Sequence, residues 1–142
     1  MERISKDQYY LDIALAVSKR SNCLRRHYGA IIVKNDEIIA TGYNGSPRGE
    51  LNCCDIGICK RQDAERYCSY EECLSVHAEQ NAIISASRRD MLGSTLYLSC
   101  ENLTGDSWTT DLSNDVKPCP LCERMIKNSG ISKVITYASI KP

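Results

Sequence analysis

Two short motifs far apart in the chain, His77-Ala78-Glu79 and Pro118-Cys119-Pro120-Leu121-Cys122, constrain the fold more than any other feature. Zinc prefers imidazole and thiolate ligands arranged in a tetrahedron. Cys119-x-x-Cys122 offers two thiolates about one helical turn apart, and His77 offers an imidazole. For one ion to take all three, the segments around residues 77 and 119 must meet. Each motif is expected to open a helix, where the partial positive charge favours a deprotonated thiol. Three protein ligands leave a fourth position for water, which marks a catalytic zinc site rather than a structural one. Glu79, two residues beyond His77, can reach such a water without binding the metal and can carry protons for it.

Either motif alone is weak. A lone CxxC also serves structural zinc sites and redox pairs, and a lone HxE is common by chance. Together they form the H-x-E…P-C-x-x-C signature of zinc deaminases. The rest of the composition agrees. Nine cysteines occur in a chain whose charged start, Met1 to Asp7, has no apolar signal segment. Soluble, cytoplasmic expression is therefore expected, with the thiols used for metal rather than disulfides. No apolar run is long enough to cross a bilayer, so no membrane partner is expected. The formal net charge is zero, from 18 basic and 18 acidic residues. That disfavours a polynucleotide partner, which needs a broad positive surface. Arg25-Arg26 and Arg88-Arg89 are local basic pairs, each more often solvated than bound to phosphate.

The 142 residues suit one domain spanning 1-142. Ser5-x-x-Gln8 reads as a capping box opening a helix over 5–21. Ala30-Ile31-Ile32-Val33-Lys34 and Ile38-Ile39-Ala40-Thr41 read as a hairpin around Asn35-Asp36. Residues 42–49 read as a loop, and 50–75 show no clean periodicity. A helix is expected over 77–89, a strand over 95–99, a long loop over 101–117, a helix over 118–128 and a strand over 133–137. Interleaved helices and strands imply an α/β fold with helices packed on one sheet.

On these residues the chain resembles the deoxycytidylate (dCMP) deaminase family of the cytidine deaminase superfamily. The resemblance runs through Ser21-Asn22-Cys23-Leu24-Arg25-Arg26, Gly29-Ala30-Ile31-Ile32-Val33, Gly42-Tyr43-Asn44-Gly45-Ser46-Pro47 and His77-Ala78-Glu79-Gln80-Asn81-Ala82-Ile83, and ends in the PCxxC motif. It implies a three-layer α/β/α sandwich around a mixed five-stranded sheet. It implies hydrolysis of dCMP to dUMP and ammonia, with Asn44 on the sugar and the 44–49 loop, including Gly45, Ser46 and Arg48, near the phosphate together with Arg26. Ala78 completes the expected substrate-binding set. It also implies a homo-oligomer, a hexamer or a dimer, regulated by dCTP and dTTP. Two departures stand out: the 101–117 insertion, carrying the only tryptophan, Trp108, and a chain that stops soon after the fourth visible strand.

Seven cysteines lie outside the catalytic set. Spacing alone pairs Cys54 with Cys59 and Cys68 with Cys73, and a metal would order this polar stretch. Some relatives carry a second, structural zinc. The resemblance puts its ligands at Cys23, Cys53 and Cys73, with Cys59 or Cys68 completing the set. Cys100 reads as a core residue. Two other readings stand beside dCMP hydrolysis. One is a deaminase of dCTP or of another cytosine nucleotide or nucleoside. The other is a non-catalytic zinc protein that senses nucleotides, and Glu79 argues against it.

Overall fold

Asn35 and Asp36 both take left-handed backbone angles, with φ of 53° and 62°. That is the geometry of a two-residue hairpin turn, and Asn and Asp tolerate it best after glycine. The turn joins β1 (Arg26–Lys34) to β2 (Glu37–Tyr43). The coordinates are those of a computed structural model that describes residues 1–67 and 70–142, residue 71 by its backbone only. Cys68 therefore lies outside the described residues.

β1 pairs antiparallel with β2 on one side and with β3 (Thr95–Thr104) on the other. The far edge of β3 is shared. Its first residues pair in parallel with β5 (Lys133–Ile135), and its last ones pair antiparallel with β4 (Ser107–Thr110). The result is a mixed five-stranded sheet.

Strand alternation divides the core into two layers. Ala30, Ile32, Leu96 and Leu98 face α3 (Ala78–Ile84), α4 (Arg88–Met91) and α5 (Pro120–Asn128), meeting Ala78, Ala82, Met91 and Ile126. Ile31, Val33 and Tyr97 face the opposite side, where α1 (Lys6–Ser18) and a C-terminal 3-10 turn (Tyr137–Ile140) supply Tyr10, Leu11, Ala14 and Tyr137. The fold is the expected three-layer α/β/α sandwich. Among the described residues no helix is long and apolar enough to cross a membrane.

Several local expectations need correction. The helix expected over 5–21 is shorter, and only half of its capping box forms. Ser5 Oγ accepts from the Gln8 N–H at 3.1 Å, but the Gln8 side chain bonds Asp12 instead. The helix expected over 77–89 is two helices. Ser87 Oγ accepts from the Asp90 N–H at 3.2 Å and restarts the chain as α4; such local bonds compete with helix continuation. β1 begins at Arg26, ahead of the apolar run. The 101–117 insertion is not wholly a loop. β3 continues to Thr104, turns at Gly105-Asp106 with Gly105 at φ 62°, and returns as β4. This hairpin supplies the strand that the sequence left unaccounted for. The last strand ends at Ile135, and the residues after it form the 3-10 turn. A four-residue helix, α2 (Cys53–Ile56), lies within the cysteine-rich stretch.

Two glycines let the helices seat on the sheet. A Cβ on Gly29 would lie 1.9 Å from Ala14 O and 2.6 Å from Ser18 N; one on Gly42 would lie 2.3 Å from Ala78 O and 2.4 Å from Ala82 N. All four atoms are backbone and cannot step aside. Gly29→Ala should therefore lower the unfolding free energy by about 1–3 kcal/mol or more, measured by urea denaturation. An unchanged midpoint would show that α1 does not sit on β1 this closely.

Candidate active site

His77 and Cys119 hold equivalent positions, each the extended residue at the head of a helix. His77 precedes α3 and its backbone N–H donates to the Gln80 side chain at 2.8 Å. Cys119 precedes α5, where proline at the first helical position is pre-set for the turn. The ligating atoms of His77, Cys119 and Cys122 all lie within 4.8 Å of one another. His77 Nδ1 is 3.2 Å from Cys122 Sγ and 3.5 Å from Cys119 Sγ. Tetrahedral zinc, with bonds of about 2.3 Å to sulfur and about 2.0 Å to nitrogen, separates such ligands by roughly 3.5 Å. The donor set and its spacing thus fit the metal. The Cys122 backbone N–H points at Cys119 Sγ, 3.5 Å away, and supports a thiolate there. Burial pushes the Cys122 thiol far up, with Glu79 and Cys119 adding to the effect, so a cation is needed to hold it deprotonated.

Glu79 is buried in the first turn of α3 beside these ligands. Burial pushes its carboxyl up to about 7, opposed by hydrogen bonds from its own backbone and from Cys122. A carboxyl so placed can hold or release a proton near neutral pH.

His77, Glu79 and Cys119 line one cavity of about 240 Å³, together with Asn44, Ala78, Arg25, Arg26 and Tyr28 from the expected segments, while Cys122 is fully buried off its wall. Three of the candidate second-zinc cysteines, Cys23, Cys59 and Cys73, also reach this wall, and Arg61, Arg66, Tyr67, Tyr70 and Lys117 are wall residues that the sequence did not single out. The basic pair Arg25-Arg26 thus lines a cavity, with Arg26 partly buried and Arg25 still exposed. Arg25 Nη1 bonds the Arg61 carbonyl at 3.0 Å, and Arg26 Nη1 bonds the Tyr28 hydroxyl at 3.1 Å. Arg66 reaches across to Asp115, donating to its carbonyl at 2.7 Å. Five cations and one carboxylate line the cavity of a chain with no net charge.

The 44–49 loop is placed differently from expectation. Asn44 clips onto β1: its Oδ1 accepts from the Tyr28 N–H at 2.8 Å and its Nδ2 donates to the Arg26 carbonyl at 3.0 Å. One amide hydrogen remains for a ligand. Gly45 spends both backbone groups on Val76, at 3.1 and 2.7 Å. Gly45, Ser46 and Arg48 are not on the cavity wall, and the loop offers no phosphate nest there. It holds the segment before His77 in place through an isolated bridge to Val76.

Cys23, Cys53, Cys59 and Cys73 line a second, smaller gap of about 20 Å³. Cys23 and Cys73 stand near the buried Cys53, whose thiol is pushed up first by burial and then by these two neighbours. Among the described residues the four do not reach the mutual distances of the His77 group. Cys54 is exposed and off this wall, and Cys100 is buried in the sheet core.

The family model for the cytidine and deoxycytidylate deaminase zinc-binding region matches residues 4–138. A deoxycytidylate deaminase of Schizosaccharomyces pombe is 37% identical over 139 residues, covering 96% of this chain and 38% of that protein. The chain therefore spans well under half of that fungal relative. One of Mycobacterium phage D29 is 35% identical over 142 residues, covering 95% of this chain and 96% of that protein. The dCMP deaminase of cyanophage S-TIM5, in complex with dCMP and dUMP, superposes with a TM-score of 0.62 at 28% identity, over 94% of this chain and 83% of that one.

Cys119→Ala should bind one zinc fewer per chain than the parent by metal analysis. Full retention would remove Cys119 from the ligand set.

Proposed function

The chain belongs to the cytidine and deoxycytidylate deaminase family, and we propose that it hydrolyses dCMP to dUMP and ammonia. One observation carries the reading: a buried Glu79 stands beside a three-ligand His77, Cys119 and Cys122 site in a cavity walled by cations. Zinc, when held by those three residues, supplies Lewis-acid activation of water near neutral pH. Glu79 takes the proton of the attacking water and delivers it to N3 of cytosine as oxygen adds at C4. The same carboxyl then moves the hydroxyl proton to the 4-amino group, and ammonia leaves as C4 becomes a carbonyl. The Ala78 main chain and the Asn44 amide line the path to base and sugar.

The cations favour a phosphorylated substrate. Arg25 bonds a carbonyl and approaches the Cys59 sulfur at 3.9 Å, and Arg26 bonds a phenol within the field of Asp111; the charge that these contacts leave can meet an anion. Arg26 is also fixed in place, because Asn44 grips its carbonyl. The phosphate role read from the 44–49 loop passes to the 25–26 pair, Arg61 and Lys117. The eight described cysteines are free, which suits the reducing cytoplasm. Cys23, Cys53, Cys59 and Cys73 converge on one gap, which supports a second, structural zinc once they close on the ion. Exposed Ile84 on α3 and Leu121 on α5 suit a homo-oligomer.

Ammonia release should be measured over deoxycytidine, dCMP, dCDP and dCTP. dCMP should exceed deoxycytidine by about 10²-fold or more in kcat/KM, since buried donors left unpaired penalise the nucleoside. Arg26→Ala should narrow that gap. Equal kcat/KM for the two would overturn the phosphate reading. Glu79→Ala should retain its zinc and lose about 10²–10⁴-fold in kcat; an active variant would contradict the proton-carrying role. Carefully purified protein should hold two zinc ions per chain, and a value of one would leave the four-cysteine gap without metal.

A further inference from the structure

The β3–β4 extension beyond Cys100 carries the only tryptophan, Trp108, and puts none of its side chains on the described cavity wall. It is nevertheless the strand partner of the segment that bears Arg25 and Arg26. Arg26 lies opposite Asn102 and His27 opposite Glu101. The Leu103 N–H donates to the Arg25 carbonyl at 3.3 Å. Leu24 and Arg25 themselves form a bend just before β1.

Side chains alternate along β1. Arg26 and Tyr28 turn to the cavity, where they bond each other at 3.1 Å. His27 turns to the other face of the sheet. There its Nδ1 meets a Glu101 carboxylate oxygen at 2.9 Å, and Lys19 at the end of α1 holds the second oxygen at 2.8 Å. Its Nε2 meets the Cys23 carbonyl at 3.1 Å, a bond that spans the bend and encloses Arg25. The Trp108 ring covers the imidazole face to face, with centroids 3.4 Å apart and planes at 14°. The His27 side chain is left only 12% exposed. An exposed bend without such contacts would have to be ordered when an anion arrives, and that ordering opposes binding. A guanidinium fork matches phosphate oxygens only when it is held in register with them.

We propose that His27, covered by Trp108, is a positioning residue for the substrate phosphate: it clamps the chain from Cys23 to His27 and presets the Arg25-Arg26 pair at the cavity. The proposal rests on the reading of Arg25 and Arg26 as phosphate ligands. It also gives the 101–117 insertion a task. A β3 ending at Cys100 would leave His27 with neither Glu101 nor Trp108.

The test compares dCMP with deoxycytidine, which meets the same metal centre and lacks the phosphate. The parent chain should prefer dCMP, and Arg26→Ala should narrow the preference. Failure of either removes the premise, and the proposal falls with it. With both in place, His27→Phe decides. It keeps a ring against Trp108 and removes both nitrogens. KM for dCMP should rise by about 10-fold, with kcat within about 2-fold of the parent's. For deoxycytidine, kcat/KM should stay at the parent's value. His27→Gln, whose amide can still donate to the Cys23 carbonyl, should recover part of the loss. Should His27→Phe not fold, Trp108→Leu reads the same split at a half-buried position on the edge hairpin. There KM for dCMP should rise by about 3-fold or more, with deoxycytidine again unaffected. An unchanged KM for dCMP, or an equal loss on both substrates, would overturn the role.

Discussion

Everything on the cavity floor depends on how closely α3 approaches β2. Gly42 makes this approach, since any side chain there would collide with the backbone of Ala78 and Ala82. Asn81 adds a polar tie, its Nδ2 donating to the Tyr43 carbonyl at 2.8 Å. With α3 seated, His77 and Glu79 occupy fixed points above the sheet. Small buried residues on α3, Ala78 and Ala82, leave the sheet side free for Ile32, Leu96 and Leu98. α5 packs against the same layer through Ile126, which brings Cys119 and Cys122 to the imidazole. The metal ligands are thus aligned by backbone packing before any ion arrives, and less ordering remains to oppose binding.

Much of this was legible because it is local. Imidazole and thiolate chemistry singled out, without knowledge of the fold, the three side chains His77, Cys119 and Cys122 that the fold brings together. The β-branched run from Ala30 to Lys34 marked the central strand. The second hairpin was missed although its signal was present. Gly105-Asp106 between Thr104 and Ser107 is a two-residue hairpin turn, but its flanks are polar and only pairing with β3 makes them strands. Trp108 explains part of that pairing. Its ring stacks on His27 at 3.4 Å, and His27 Nδ1 is bonded to the buried Glu101 at 2.9 Å. Such contacts join residues that no sequence window holds together.

The wall of the cavity was the least legible part. Arg61, Arg66 and Tyr70 lie in a stretch without periodicity, so nothing marked which side chains turn inward. The Asn44–Gly49 loop is placed differently from what its composition suggests, only Asn44 reaching the cavity. Its glycines and serine have the composition of a phosphate nest, yet Gly45 is used in a bridge to Val76. The zero net charge, read against a polynucleotide surface, was a poor guide to one small cavity, where cations outnumber carboxylates. A dianionic phosphate is attracted by the local field, which the sum over the chain conceals.

The most direct test is a crystal structure of Glu79→Gln soaked with dCMP. Cytosine C4 should lie over the His77, Cys119 and Cys122 group, with N3 within hydrogen-bond distance of residue 79. The phosphate should lie among Arg25, Arg26, Arg61 and Lys117. A nucleotide bound instead at the 44–49 turn, with its base away from His77, would contradict this account.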